Sequence, residues 1–127
     1  VVDDAGVTLA VPWREDLVGD PEFGVLAGGV VSSLLDHACG LAVWSALDAF
    51  QPIATLDMRI DYLRAAEPGR EVLARASVFR LTRSIAFVRG AAHDGNPEDP
   101  VAAVQAAFML DSDAGRRAGA NLTGRQP

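Results

Sequence analysis

The chain comprises 127 residues and 13.3 kDa, the size of one domain able to bury about two-thirds of its unfolded surface without covalent staples. Hydrophobic residues make up 50% and charged residues 22%, which excludes a chain disordered throughout. Its 11 basic residues are all arginine and face 17 acidic ones, a net charge of −6 that argues against nucleic acid as a partner but leaves single guanidiniums able to clamp a small phosphorylated ligand.

Val1 to Gly24 reads as loop around one short alternation, Val7, Leu9 and Val11, which makes an edge strand. From Gly28 to Phe50 the composition turns to Val, Leu and Ala without Pro. Val31, Leu34, Leu35, Ala38, Leu41 and Ala42 there keep helical spacing. That helix is apolar nearly all round, so it is expected to be enclosed by other structure, and Gln51-Pro52 ends it. The period then switches to 2. Leu56, Met58, Ile60 and Tyr62 alternate with Thr55, Asp57, Arg59 and Asp61, a strand with one wet face.

Glu67-Pro68-Gly69-Arg70 is a turn signature, followed by a strand from Val72 to Phe79, a hairpin break at Thr82-Arg83-Ser84 and a third strand from Ile85 to Ala92. After the turn His93-Asp94-Gly95-Asn96-Pro97, Val101 to Leu110 makes a fourth strand, and the four read as consecutive antiparallel partners. Residues 1–114 form a single domain and 115–127 a flexible tail. The expected class is α+β, an antiparallel sheet wrapped around one long central helix, with a sheet face and edge left for oligomerisation. No apolar run reaches the ~20 residues of a bilayer span, so no membrane association is expected. Cys39, the only cysteine, rules out an intrachain disulfide and favours a reducing, cytoplasmic setting.

Asp36 stands mid-helix, accompanied only by His37 as an ionisable group between Gly28 and Leu47. Burying a carboxylate there costs several kcal/mol unless it is paired or neutralised. It is either a hydrogen-bonded structural residue or a reactive carboxylate tuned by partial burial. Gly28-Gly29 opens the helix, where exposed amides and the helix dipole suit a developing oxyanion, although glycines there also serve as plain chain-reversal residues. His37 and His93 form no triad with any nucleophile, and Cys39 reads as a small buried apolar residue. Arg59 and Arg75 solvate the open sheet face. Arg64, Arg80 and Arg83 fall at strand ends, within reach of a phosphate outside the sheet or of plain solvent.

The run Gly28-Gly29-Val30-Val31-Ser32-Ser33-Leu34-Leu35-Asp36-His37-Ala38, followed by Thr55 to Arg64, resembles the hotdog-fold acyl-CoA thioesterases of the phenylacetate-pathway (PaaI) type. The resemblance extends from about Leu9 to Leu110. It implies an acyl-CoA substrate, Asp36 as catalytic carboxylate, Gly28 as the glycine whose N–H polarises the thioester carbonyl, and Thr55 as orienter of the attacking water. More loosely it implies substrate contacts at Gly29, Arg64, Arg83 and Ser84. No metal and no cofactor are expected, since a thioester is already activated. The family pattern before the helix is similar to Asn-x-x-Gly-x-x-His-Gly-Gly, and here Pro21 replaces the Asn and Ala27 the His. Those two positions motivate a second reading, a non-catalytic acyl-CoA-binding protein. A hotdog hydratase or dehydratase is a third, disfavoured because His37, adjacent to Asp36 on a helix, points to a different face.

Gly28 and Asp36 lie eight positions apart, hence ~12 Å along a helix axis, too far for one helix to serve one carbonyl. Two antiparallel helices about a two-fold axis can do so, which predicts a homodimer with shared sites. The resemblance implies that such dimers commonly pair into a dimer of dimers, a homotetramer.

Overall fold

The computed structural model describes residues 2–3, 6–20, 22, 24–49 and 51–110. The tail read at 115–127 lies outside the described residues, as do Pro21 and Phe23. The described residues form eight strands and one long helix: β1 (Val2–Asp3), β2 (Gly6–Val11), β3 (Val18–Asp20), β4 (Val25–Leu26), α1 (Gly28–Ala46), β5 (Ala54–Tyr62), β6 (Val72–Leu81), β7 (Ile85–His93) and β8 (Ala102–Met109). Strands β3 and β4 form a small separate ribbon just before the helix.

The main sheet is antiparallel with order β1-β2-β6-β7-β8-β5. Consecutive pairing holds for β6 to β8 and fails for β5. The Glu67–Arg70 turn is no hairpin: β5 crosses to the far edge and pairs with β8, Tyr62 opposite Ala102 and Ala54 opposite Met109. Alternation sorts the next three strands, Val72, Ala74 and Ala76 of β6 pointing to the helix, with Ala86, Val88 and Ala92 of β7 and Ala102, Val104, Ala106 and Phe108 of β8, until a register shift between Val78 and Arg80 interrupts it in β6. The alanines keep this face shallow, and the helix settles on it against β6, β2 and β7.

Helix α1 buries one stripe, Val31, Leu35, Ala38, Cys39, Ala42 and Val43, at the 3.6-residue repeat. It ends at Ala46 rather than Phe50. The Leu47 amide turns back to the Trp44 carbonyl, and the Trp44 indole donates to the Gln51 carbonyl 3.1 Å away, fixing the reversal before Pro52. The expected all-round enclosure does not occur within one chain. Asp36, His37, Leu41 and Trp44 stand exposed, as do Leu56, Tyr62 and Leu63 on and beside β5, because the helix covers β2, β6 and β7 and leaves the β5 margin bare. Among the described residues no helix is long and apolar enough to cross a membrane.

Candidate active site

The start of α1 is built by the ribbon before it. Ala27, in extended conformation, caps the helix without a side-chain hydrogen bond. Its amide donates to the Leu17 carbonyl at 2.9 Å, and its own carbonyl receives the Val30 amide at 3.0 Å. Among the described residues, this leaves the exposed Gly28 and Gly29 amides as the helix-start donors open to a ligand. Gly24, at φ +68° in the left-handed region, makes the bend leading in, and its carbonyl is held by the Trp13 indole at 2.9 Å.

Asp36 projects from the uncovered face of α1, so the burial expected for it is absent within one chain. Its neighbour His37 is tied down, its Nδ1 lying 2.7 Å from the Ser33 carbonyl, which can only accept, so that nitrogen carries the proton. Cys39, on the opposite face, is fully buried. Desolvation, with the nearby Asp36 charge as a lesser cause, pushes its thiol up to about 12, so it has no thiolate to offer as a nucleophile.

Thr55 owes its direction to a bulge. Strict alternation would group it with Asp57 on the wet face. Instead the register shifts across Leu56, so Thr55 faces Phe108 and Asp57 faces Ala107. Directly paired residues share a sheet face, and Phe108 is buried, so Thr55 turns to the helix side with Met58 and Ile60. The break at Thr82–Ser84 is a hairpin turn as read, closed by Thr82 Oγ1, which receives the Ile85 amide at 3.0 Å. Arg83 and Ser84 lie exposed on it, and the Ser84 carbonyl accepts the Leu110 amide at 2.9 Å.

The single chain does not bring these residues together. Gly28 and Gly29 share one end of the sheet with Tyr62, while Thr55, Arg83 and Ser84 share the other, about 23 Å away along β5. Arg64 sits at the Gly28 end and is committed elsewhere: Nη1 and Nη2 clasp both oxygens of Asp94 at 3.0 and 2.7 Å. The same nitrogens reach the Ala65 and Asp99 carbonyls, and Nε lies 3.3 Å from Asp99 Oδ1. Asp94, only 6% exposed, also receives the Glu67 amide at 2.7 Å. The hydrogen bonds from Arg64 hold its carboxyl well below the usual carboxylate range, against the opposing effect of burial. Arg64 is thus a clamp tying the β5–β6 crossover to the β7–β8 turn, and a solvent-side phosphate would have to displace a chelating carboxylate to reach it. Arg59 and Arg75 lie on the outer sheet face as expected, Arg75 donating to Thr8 Oγ1 at 2.7 Å.

A cleft of about 290 Å³ opens beside the helix start, its walls mostly aliphatic: Leu26, Val31, Leu63 and Val101, with Gly28 and Tyr62 at its lip. The Tyr62 hydroxyl donates to the Gly28 carbonyl at 3.1 Å. The sequence gives Tyr62 only a place in a strand, since its partner lies 34 positions away.

A sequence model of the thioesterase superfamily matches residues 23–101. The chain belongs to this superfamily. Medium/long-chain acyl-CoA thioesterase YigI of Salmonella typhimurium is 32% identical over 123 residues, 85% of this chain and 77% of the relative. A Halobacterium salinarum protein whose name marks it as a candidate esterase is 36% identical over 85 residues. That match spans 65% of this chain and 55% of the relative's length. In three dimensions a Pseudomonas aeruginosa protein of known crystal structure matches with TM-score 0.81 at 39% identity, covering 87% of this chain and 82% of the other. A phenylacetic acid degradation-related protein from Ralstonia eutropha matches at TM-score 0.69 and 25% identity, over 81% of this chain and 74% of the other. The architecture is therefore the hotdog fold of this superfamily, with α1 as its central helix.

Proposed function

We propose that this thioesterase-superfamily chain hydrolyses an acyl-CoA thioester at a site shared by two antiparallel copies. The Gly28 amide of one copy polarises the carbonyl, and Asp36 of the other acts as nucleophile or as general base toward water held by Thr55. On the base route water adds to the carbonyl carbon and gives its proton to Asp36, the C–S bond breaks, and the leaving thiolate takes up that proton, giving free acid and CoA. On the nucleophile route an Asp36 oxygen adds, C–S cleavage leaves an acyl–aspartyl anhydride, and water then hydrolyses the anhydride to free acid while its proton goes to the thiolate. The observation that carries this reading is α1 itself, with open amides at its start and a lone carboxylate two turns on, both exposed. The unpaired β5 edge and the exposed apolar Leu41 and Trp44 on the helix and Leu56 and Leu63 on and beside β5 supply a surface for the second copy. An antiparallel partner would set its Thr55, Arg83 and Ser84 end next to Gly28 and Gly29. In this arrangement Arg83, in an exposed turn and with no ion pair among the described residues, is a better phosphate contact than Arg64.

The test is Asp36→Asn, which keeps shape and removes charge. With octanoyl-CoA and phenylacetyl-CoA as probes, kcat is expected to fall on the order of 10²-fold or more while binding persists. Full activity in the folded variant defeats the mechanism. Ala27 offers no side-chain hydrogen bond to the helix start, which favours a second reading, an acyl-CoA binder without turnover. Saturable binding of both probes by the parent chain with no release of CoA would select it.

A further inference from the structure

Tyr62 is the only tyrosine in the chain, and among the described residues its hydroxyl has one partner: it donates to the carbonyl oxygen of Gly28 at 3.1 Å. In a trans peptide the carbonyl and the following N–H point in opposite directions within one rigid plane. Holding the Gly28 oxygen therefore fixes the direction of the Gly29 amide. The preceding plane, which carries the Gly28 amide, is held in the same way, because the Ala27 carbonyl accepts the Val30 amide at 3.0 Å. Both donors are thus steadied from behind by a hydrogen bond to the far end of their own peptide units. The helical ladder already turns the Gly28 carbonyl toward the Ser32 amide, and the tyrosine adds a second anchor to a first turn made of two glycines, the least restrained of residues.

We infer that Tyr62 is a positioning residue that aims the Gly29 amide, so that Gly28 and Gly29 together form a two-donor cradle for the thioester oxygen. The inference rests on the acyl-CoA hydrolase reading above. The tyrosine is well braced for the task. It pairs with Ala102 in the β5–β8 ladder, and the next two amides, of Leu63 and Arg64, both donate to the Val101 carbonyl at 2.8 and 3.2 Å. Arg64 in turn is locked on Asp94. The ring lies flush with the helix start: a Cβ built on Gly28 would meet Cε1, Cζ and Oη at 3.8 to 4.0 Å, whereas one on Gly29 would meet nothing within 4 Å. The tyrosine therefore backs the cradle on one side while its mouth stays open, and the same ring forms the lip of the aliphatic cleft.

Tyr62→Phe keeps the ring and the cleft and removes only the hydroxyl. With octanoyl-CoA, kcat is expected to fall about tenfold and KM to stay within about twofold, since the lost order affects the charge that develops in the transition state. A second readout separates aiming from folding. Octanoyl-CoA labelled with ¹³C at its carbonyl is bound to Asp36→Asn and to Asp36→Asn/Tyr62→Phe, and the infrared carbonyl stretch is recorded. The downshift on binding should be smaller in the double variant. An unchanged kcat, or a fall in kcat accompanied by the same carbonyl frequency in both backgrounds, overturns the inference. Failure of the hydrolase reading has a different signature: the parent chain itself then binds octanoyl-CoA without releasing CoA, whereas full turnover by Asp36→Asn removes that carboxylate from the mechanism, whatever Tyr62→Phe does.

Discussion

Mixing two inactive variants, Gly28→Pro and Asp36→Asn, measures whether the site is built across two chains. Proline at position 28 removes the proposed donor with little other disturbance. Gly28 is the first residue of α1, where proline is well tolerated, and Ala27 before it already has φ −61° and ψ 142°, the extended conformation a pre-proline residue adopts. A Cβ there clears Tyr62 at 3.8 Å. Since Gly28 and Asp36 are ~12 Å apart on one helix, each variant should be dead by itself, for opposite reasons. In a mixed dimer one site joins Gly28 of the second variant to Asp36 of the first and is whole, while the other site is doubly damaged. Equal mixing gives mixed dimers in half of the population, each with half of its sites intact, so about a quarter of parental activity should return if pairing is random and sites act independently. The assay is CoA release from octanoyl-CoA after the two are unfolded and refolded together, with native mass spectrometry counting mixed dimers. Mixed dimers without activity would show that each chain uses its own Gly28 and Asp36, which the helix geometry forbids, or that the roles are wrong.

Two further outcomes follow from the arginines. Arg83→Ala should raise KM for acyl-CoA with little change in kcat, and added salt should mimic it; equal affinity for parent and variant at low ionic strength would place the phosphate site elsewhere. Asp94→Asn should lower the melting temperature by about 10 °C, because Arg64 loses its chelating partner. The folded Asp94 carboxyl is held below its unfolded value, so its contribution is present above about pH 4 and lost as pH falls through the folded value. The parent should therefore lose stability on acidification more steeply than Asp94→Asn. Parallel melting curves from pH 6 to pH 2 would count against the clamp.

The helix and the four long strands were legible because each is long and keeps its period over two or more turns or pleats. What failed to show were the features set by partners distant in the chain. Pairing of β5 with β8 rather than β6 depends on which edge is left once β6 to β8 have formed a meander, and no local signal at Glu67–Arg70 separates a crossover from a hairpin. The bulge at Leu56 reverses the face of Thr55, although the alternation through Leu56, Met58 and Ile60 is unbroken in sequence. Arg64 looked like a strand-end cation because its captor, Asp94, sits 30 positions away in what reads as an ordinary turn. Asp36 and Gly28 stand out as candidates for the opposite reason: a carboxylate inside an apolar helix and a glycine pair at its start are anomalies visible without any knowledge of contacts.

The strand order also governs how the molecule comes into being on the ribosome. Strand β5 is synthesised directly after the helix, but its ladder partner β8 lies 40 to 55 positions further on. Throughout that interval β5 has an open backbone on both edges, with Leu56 within it and Leu63 just after it, and its ladder partner is not yet made. Closing such a long loop is a late and slow event. The nascent chain is then most exposed to wrong pairing, including with β5 of a neighbouring chain on the same message. If copies meet at this edge as proposed, their encounter can precede completion of the fold, and assembly would then be coupled to folding in time as well as in space.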